Sequence, residues 1–186
     1  MTKIYTHKIL STSSWFVLMM IFWSPVNAQD KEYLMKAGFI ERFTQFVDWP
    51  VDSSCTDTTA PFRVTVLGKN PFGTYLEDYF SGKIIDSRQV EVHYVDSFAK
   101  ISGTQMLFIT KENQRDLDTI LRVVNGCSIL TISDCEGCAQ AGVAINFIIV
   151  QDKVRFEINL TALEKTDIIL SSQILKVAAL VIKEDM

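Results

Sequence analysis

The sequence contains only two histidines, and this scarcity narrows the chemistry that the chain can carry. His7 lies in an N-terminal segment that we expect to be removed, which leaves His93 alone. One histidine cannot build a histidine-rich metal site or a histidine-based catalytic triad without unusual partners. His93 alternates with apolar residues in the segment 90–95, so we expect it on the solvent side of a strand.

The chain also has no excess of positive charge. The formal net charge is −4 at pH 7, and it becomes more negative if Lys3 and Lys8 leave with the N-terminal segment. No basic stripe is present that could follow a phosphate backbone. Nucleic acid is therefore not an expected partner.

The N-terminal hydrophobic run is too short to span a membrane. It covers residues 15–23, which as a helix extend only about 14 Å, roughly half of a bilayer core. The basic residues Lys3 and Lys8 precede it, and small residues, Val26 and Ala28, occupy the positions that a signal peptidase recognises. This arrangement is typical of a secretory signal peptide.

We therefore predict a signal peptide at residues 1–28, cleaved after Ala28, and one exported domain at residues 29–186. The alternative is that the segment is retained as a membrane anchor. The exported part is long enough for a single domain with its own core, and no repeat or long Pro/Gly/Ser linker divides it.

Strand and helix patterns alternate along this domain, which favours an α/β fold with a mainly parallel, Rossmann-like sheet flanked by helices. The residues Gln151, Asp152 and Lys153 separate two strand patterns and predict a C-terminal antiparallel hairpin at the edge of the sheet, followed by helices. Helices are predicted at residues 30–48, 71–80, 115–124, 160–165 and 171–182. Strands are predicted at residues 62–67, 90–95, 106–109, 128–133, 143–150 and 154–158.

One glycine-rich turn follows the first predicted strand, where nucleotide-binding α/β folds place their phosphate loop. It contains Gly68, Asn70 and Gly73. Neither standard phosphate-binding pattern is present, because Gly73 is followed by Thr74 without a lysine and no Gly-x-Gly-x-x-Gly occurs. A plain turn and a small-ligand crevice at the switch point of the sheet are the two interpretations.

The four cysteines allow a redox site, a zinc site or structural disulfides. Cys135 and Cys138 have the Cys-x-x-Cys spacing, but Asp134 and Glu136 beside them disfavour the thiolate that a redox site needs. A zinc site would have to add Cys127 and Cys55 to this pair. Disulfides are the interpretation that we favour in an exported protein.

The predicted strand at 128–133 helps to choose the pairing. If it is extended, it separates Cys127 from Cys135 by about 20 Å, whereas a disulfide requires Cα atoms within about 7 Å. We therefore predict the disulfides Cys135–Cys138 and Cys55–Cys127.

Arg155, Glu157 and Asn159 alternate with apolar residues and share one face of a predicted strand. A single carboxylate beside an arginine lacks the second titrating partner that acid–base catalysis usually needs. We expect instead that Arg155 and Glu157 compensate each other and that Asn159 caps the helix beginning at Leu160. No catalytic residue, metal ligand or cofactor site is predicted.

An ordered set of motifs resembles the YfiR/HmsC-like family of exported bacterial proteins, over nearly the whole predicted domain. Its pieces are Lys36 to Ile40, Phe43, Phe46, Val47, Trp49 and Pro50; Leu67 to Gly73; Leu130 to Asp134; Ala144 to Phe147; Arg155 to Asn159; and Ser171 to Leu175.

The resemblance implies a periplasmic α/β domain, often a homodimer, without enzymatic activity. The best-understood members of the family repress an inner-membrane diguanylate cyclase by binding its periplasmic region, which lowers cyclic-di-GMP signalling and biofilm formation. Disulfides influence the stability of such members. This sequence departs at Cys138, where an aromatic residue is common, and at Ala141-Gly142, where Gly-Gly is usual.

Our leading hypothesis is thus a periplasmic regulatory protein that binds the periplasmic domain of an inner-membrane signalling protein. One alternative is a periplasmic small-ligand binding protein that uses the crevice near Gly68, Asn70 and Gly73. Another is a thiol oxidoreductase that acts through Cys135 and Cys138.

Overall fold

The computed structural model describes residues 28–50 and 59–183. The predicted signal peptide lies outside these residues up to position 27, and so does Cys55; cleavage after Ala28 and the Cys55–Cys127 disulfide therefore stay predictions. Within the described part, none of the helices combines the length and the apolar character needed to cross a bilayer.

Ten strands and five α-helices make up the described part of the chain. The strands are β1 (Val47–Asp48), β2 (Phe62–Leu67), β3 (Ile84–Ile85), β4 (Arg88–Val95), β5 (Met106–Ile109), β6 (Leu130–Ser133), β7 (Ile145–Val150), β8 (Lys153–Asn159), β9 (Ile169–Leu170) and β10 (Leu180–Ile182). The helices are α1 (Ala28–Phe43), α2 (Tyr75–Phe80), α3 (Leu117–Val124), α4 (Leu160–Leu163) and α5 (Ser172–Leu175). Short 3-10 helices lie at Phe98–Lys100 and Lys111–Asp116.

The main sheet has eight strands in the order β10-β8-β7-β6-β5-β2-β4-β3. Its five central strands, from β7 to β4, run parallel, which confirms the predicted mainly parallel α/β sheet. The antiparallel partners are β8 beside β7 and β3 beside β4. A small second sheet pairs β1 with β9.

Helices cover both faces of the sheet, so its central strands are apolar on both sides. Met106 and Phe108 of β5 belong to the core beneath α1 and α2, whereas Leu107 and Ile109 belong to the core beneath α3. This division follows from the two-residue period of a strand. The apolar run Met106–Ile109 is explained by the same two-sided burial.

Four phenylalanines attach α1 to β7 and β8. The ring of Phe43 lies 5.1 Å from that of Phe156 and 5.8 Å from that of Phe147, and Phe39 contacts both of these rings as well. The helix ends at Phe43, earlier than predicted, because the chain then extends and pairs Val47 with Leu170.

The predicted hairpin is confirmed, and its turn has the expected backbone. Gln151 and Asp152 have positive φ values of 50° and 58°, as a two-residue turn between twisted strands requires. A second hairpin, between β3 and β4, turns through Asp86 and Ser87 with similar φ values. It was not predicted, because Asp-Ser is a weaker turn signal than Asn-Gly or Asp-Gly.

The long C-terminal helix predicted at residues 171–182 is wrong. The helix ends at Leu175, and Leu180–Ile182 forms β10, which pairs in parallel with β8. Val181 and Ile182 are β-branched residues that suit a strand, and Leu180 lies opposite Glu157. Pairing with β8 therefore outweighs the helical spacing of these residues. Because β10 adds to the outer side of β8, the β7–β8 hairpin does not form the edge of the sheet.

Two other predicted helices begin later than the apolar pattern indicates. α2 starts at Tyr75 rather than at position 71, because Asn70 and Gly73 form a turn before it. α3 starts at Leu117, and the preceding residues Lys111–Asp116 form a 3-10 helix.

Asn159 connects the end of β8 to two other segments. Its Oδ1 accepts a hydrogen bond from the Ala162 amide at 2.9 Å, so the predicted helix cap is confirmed. Its Nδ2 donates to the Ala139 carbonyl at 2.7 Å, in a buried position.

Replacing this side chain tests both contacts separately. Asn159→Ala should lower the free energy of unfolding by about 3 kcal/mol, because it removes the cap and leaves the Ala139 carbonyl unpaired. Asn159→Ser keeps a capping oxygen and loses only the contact to Ala139, so we expect about half of that loss. Urea denaturation measures both; equal losses would show that the cap contributes nothing, and no loss in Asn159→Ser would show that the Ala139 contact contributes nothing.

Candidate functional site

The carboxyl ends of the parallel strands place three loops at one edge of the sheet. Gly68 follows β2, Thr110 follows β5 and Asp134 follows β6. The chain reverses its direction of travel across the sheet at β2, because β4 lies on one side of it and β5 on the other. In open α/β sheets this switch point is where a ligand crevice is expected.

Side chains from the loop after β5 occupy this switch point. Thr110 Oγ1 and Asn113 Nδ2 both donate hydrogen bonds to the carbonyl of Leu67, at 3.0 and 3.1 Å. Gly68 has a φ of +108°, and a Cβ at this position would overlap the Thr110 hydroxyl. The glycine is therefore needed for close packing of this turn against the loop after β5, and the small-ligand crevice stays a prediction.

Asn70 uses both ends of its side chain within its own turn. Its Oδ1 accepts a hydrogen bond from the Phe72 amide, and its Nδ2 donates to the Gly73 carbonyl, each at 2.8 Å. Phe72 is fully buried below the turn. The structure thus joins Asn70 and Gly73 in one hydrogen-bonded turn, while the Gly68 amide donates to the Val95 carbonyl, and the plain-turn interpretation accounts for these contacts.

A buried polar cluster lies further along the same edge; we call Tyr33, Lys36 and Asp134 the Asp134 cluster. Lys36 Nζ and the Tyr33 hydroxyl both donate to Asp134 Oδ2, at 2.7 Å each. The side chains of Lys36 and Asp134 are only 4% and 3% exposed. Lys36 also forms an ion pair with the more exposed Glu32.

The electrostatics of this cluster favour anchoring over proton transfer. Burial, followed by the hydrogen bond to Asp134, raises the pKa of Tyr33 above its ordinary value near 10. The phenol therefore stays protonated at neutral pH and keeps donating to the carboxylate. Lys36 supplies the compensating charge, so the cluster fixes α1 to the end of β6.

The sequence analysis missed this cluster, although a signal was present. Lys36 lies three residues after Tyr33 and four before Ile40, so it shares the buried face of α1. A lysine on the apolar face of a helix requires a carboxylate partner when it is buried. Asp134 directly follows a fully buried strand and was the natural candidate.

The predicted disulfide Cys135–Cys138 is present, with a Cα–Cα distance of 5.5 Å. Both cysteines are buried and pack in the core beneath α3. A thiol oxidoreductase needs an accessible sulfur, whereas this disulfide shapes the loop that carries Asp134.

The zinc alternative involves Cys55, which lies outside the described residues. In the ranges 28–50 and 59–183, no three His, Cys, Asp or Glu side chains are grouped as metal ligands. The Cys55–Cys127 pairing stays a prediction.

The expected compensation between Arg155 and Glu157 is wrong. Glu157 is buried and accepts a hydrogen bond from Asn146 Nδ2 at 3.2 Å, whereas Arg155 is exposed. The cause is β10, whose Leu180 lies beside Glu157 and covers that part of β8.

His93 lies half-exposed on β4, as expected for the solvent side of a strand. Its Nε2 is 3.0 Å from Glu91 Oε2, and both side chains are largely accessible to solvent.

A pair of glycine substitutions tests the packing at the switch point. Gly68→Ala should lower the free energy of unfolding by about 3 kcal/mol, because the new Cβ meets Thr110 in a strained backbone conformation. Gly73→Ala is the matched control: its φ is +59° and its surroundings are open, so we expect a loss of about 1 kcal/mol. Thermal or urea unfolding measures both, and similar losses would contradict the described packing.

A second pair tests the Asp134 cluster. Lys36→Met should destabilise the protein by about 3–5 kcal/mol, because it leaves the buried Asp134 carboxylate without its cation. Lys83→Met is the control, since Lys83 is 49% exposed in its ion pair with Glu41, and it should cost less than about 1 kcal/mol. Replacing Asp134 by Asn in the Lys36→Met background should recover part of the loss; a further drop would show that the two residues are not coupled.

The solved structures similar to this chain include a distant one. An ABC domain from Streptococcus pneumonia, in complex with L-Trp, is 11% identical, with a TM-score of 0.49. The alignment covers 76% of this chain and 61% of that structure, and at this level the likeness carries no argument about fold or function. No match is found among curated proteins.

The family comparison identifies the family of the chain. The YfiR/HmsC-like family model matches residues 33–179, which include most of α1, the Asp134 cluster and the sheet from β2 to β8. The resemblance predicted from the sequence is therefore confirmed. The chain belongs to the YfiR/HmsC-like family, whose members are periplasmic regulators of the cyclic-di-GMP pathway.

Proposed function

We propose that this protein is exported to the periplasm and represses an inner-membrane diguanylate cyclase by binding its periplasmic domain. The observation that carries the proposal is the family match over residues 33–179. The signal-peptide pattern at residues 1–28 supports the same compartment. Binding would lower cyclic-di-GMP synthesis and biofilm formation.

A binding role fits the way in which the polar groups are used. The Asp134 cluster compensates its own charges, and the sulfurs of Cys135 and Cys138 are buried. Thr110 and Asn113 donate hydrogen bonds to the Leu67 carbonyl at the switch point. Each of these groups, which could have suggested catalysis, instead holds the scaffold together.

We assign partner binding to the C-terminal edge patch, defined as Val177, Leu180 and Val181. These apolar side chains are 61%, 46% and 38% exposed within a five-residue stretch. β10 is the outermost strand, and among the described residues no strand pairs with its outer side. Free backbone groups beside exposed apolar side chains suit the addition of a partner segment.

The partner that we assign to this patch is the periplasmic domain of the cyclase, since members of the family act through signalling partners. A second copy of the chain would use the same features in a homodimer. The two occupants differ in stoichiometry, so the experiment below separates them.

The test uses the exported chain and the purified periplasmic domain of a diguanylate cyclase from the same host. We expect direct binding by calorimetry, and Val181→Glu should weaken it at least tenfold, because a charge would be buried in an apolar interface. Ile84→Glu is the matched control: Ile84 is 68% exposed on the opposite edge strand, and binding should be unchanged.

Cellular cyclic-di-GMP provides the second measurement. Deleting the gene should raise its level several-fold, and Val181→Glu should reproduce that rise, whereas Ile84→Glu should not. An unchanged level after deletion would overturn the proposed function. Normal binding by Val181→Glu would overturn only the patch, and loss of a dimer on light scattering would assign the patch to a second copy.

A further inference from the structure

A groove lies at the opposite edge of the sheet from the switch point, and none of the roles described so far involves it. It has a volume of about 560 Å³ and separates the end of α3 from the segment after α4. The starts of β6 and β7 border it, because β8 runs antiparallel to β7 and delivers α4 to the amino end of that strand. We call it the amino-edge groove.

Small residues create the space in this groove. Ala141, Gly142, Ala144 and Ala162 line it together with the larger apolar side chain of Leu121. Gly142 has a φ of +112°, and a Cβ there would already lie 3.3 Å from Leu121 Cδ1. The result is an apolar floor in a volume typical of small-molecule sites.

Two cations stand at the rim, on different walls. Arg122 comes from α3 and Lys165 follows α4. Within the described ranges, neither makes an ion pair with a carboxylate. The Arg122 guanidinium donates to the Asp118 carbonyl and the Thr119 hydroxyl, each at 3.2 Å, and these contacts hold it along the helix.

The remaining polar groups of the lining are mixed, but donors predominate. Asp118 is the one acidic side chain, so the two cations outnumber it. Thr131 is only 5% exposed, and its Oγ1 accepts a hydrogen bond from the Ala144 amide at 2.9 Å. Among the bonds of the described residues, none uses the Thr131 hydroxyl proton as a donor, so this buried group can donate into the groove.

We infer that the amino-edge groove binds a small organic carboxylate with an apolar body, of the medium-chain fatty acid class. The carboxylate lies between Arg122 and Lys165, and the hydrocarbon covers the floor formed by Leu121, Ala144 and Ala162. A bare phosphate would pair with the cations but would leave the apolar floor of the groove exposed to water. A cationic amphiphile would meet repulsion from both rim residues.

Octanoate is the probe for this site, added at millimolar concentration to the isotopically labelled exported chain at pH 7. We expect saturable amide chemical-shift changes at Ala144, Ala162 and Thr131. Raising the salt concentration should weaken binding, because the rim charges are exposed to solvent. Octylamine should not bind, and octanol should bind at least tenfold more weakly than octanoate.

Three variants of the groove and one control variant separate the effect of charge from the effect of shape. Arg122→Gln and Lys165→Gln should each weaken octanoate binding about tenfold, while Lys153→Gln, an exposed cation in the hairpin, should have no effect. Ala162→Leu keeps both charges and fills the floor, so it should abolish binding; circular dichroism checks that each variant is folded. Equal affinity for octanol, no change in the two rim variants, or no shifts at all would each overturn the inference.

Discussion

The Asp134 cluster is the interaction on which the rest of the structure depends. Lys36 and Asp134 are almost fully buried, so their charges must meet for either to be tolerated in the protein interior. The contact joins two residues that are 98 positions apart. It holds α1 at the end of β6, and the same helix then lays Phe39 and Phe43 over the closing hairpin. Charge compensation at the middle of the helix and ring packing towards its C-terminus therefore act together.

The carboxyl and amino edges of the parallel sheet differ in how closely their side chains pack. At the carboxyl edge, Thr110 and Asn113 donate hydrogen bonds to the Leu67 carbonyl and draw the loop after β5 against the switch point. At the amino edge, alanine and glycine residues leave a groove open beside Arg122 and Lys165. The size of a few side chains therefore decides how closely each edge of the sheet is packed.

The sequence was sufficient for features that depend on local periodicity. The two-sided burial of β5, the hairpin at Gln151 and Asp152, and the Cys135–Cys138 disulfide follow from patterns within a few residues. The family was also recognisable, because its motifs retain their order along the chain.

The features that were missed depend on distant partners. Residues 171–182 have helical spacing, but the open edge of β8 recruits the last part as β10. The same event buries Glu157, which the alternating pattern had placed beside an exposed arginine. The spacing of α1 indicates that Lys36 is buried and needs a carboxylate partner, but the groove at Arg122 could not be derived from spacing, since it requires knowledge of how separate loops meet.

The small sheet of β1 and β9 has a consequence for how the domain opens. Val47 pairs with Leu170, and the Phe46 carbonyl accepts a hydrogen bond from the Ser171 amide at 2.9 Å. These contacts join the segment that follows α1 to the segment that precedes α5. Because α1 ends shortly before these contacts, we expect the backbone amides of α1 and of residues 169–171 to exchange as one cooperative unit.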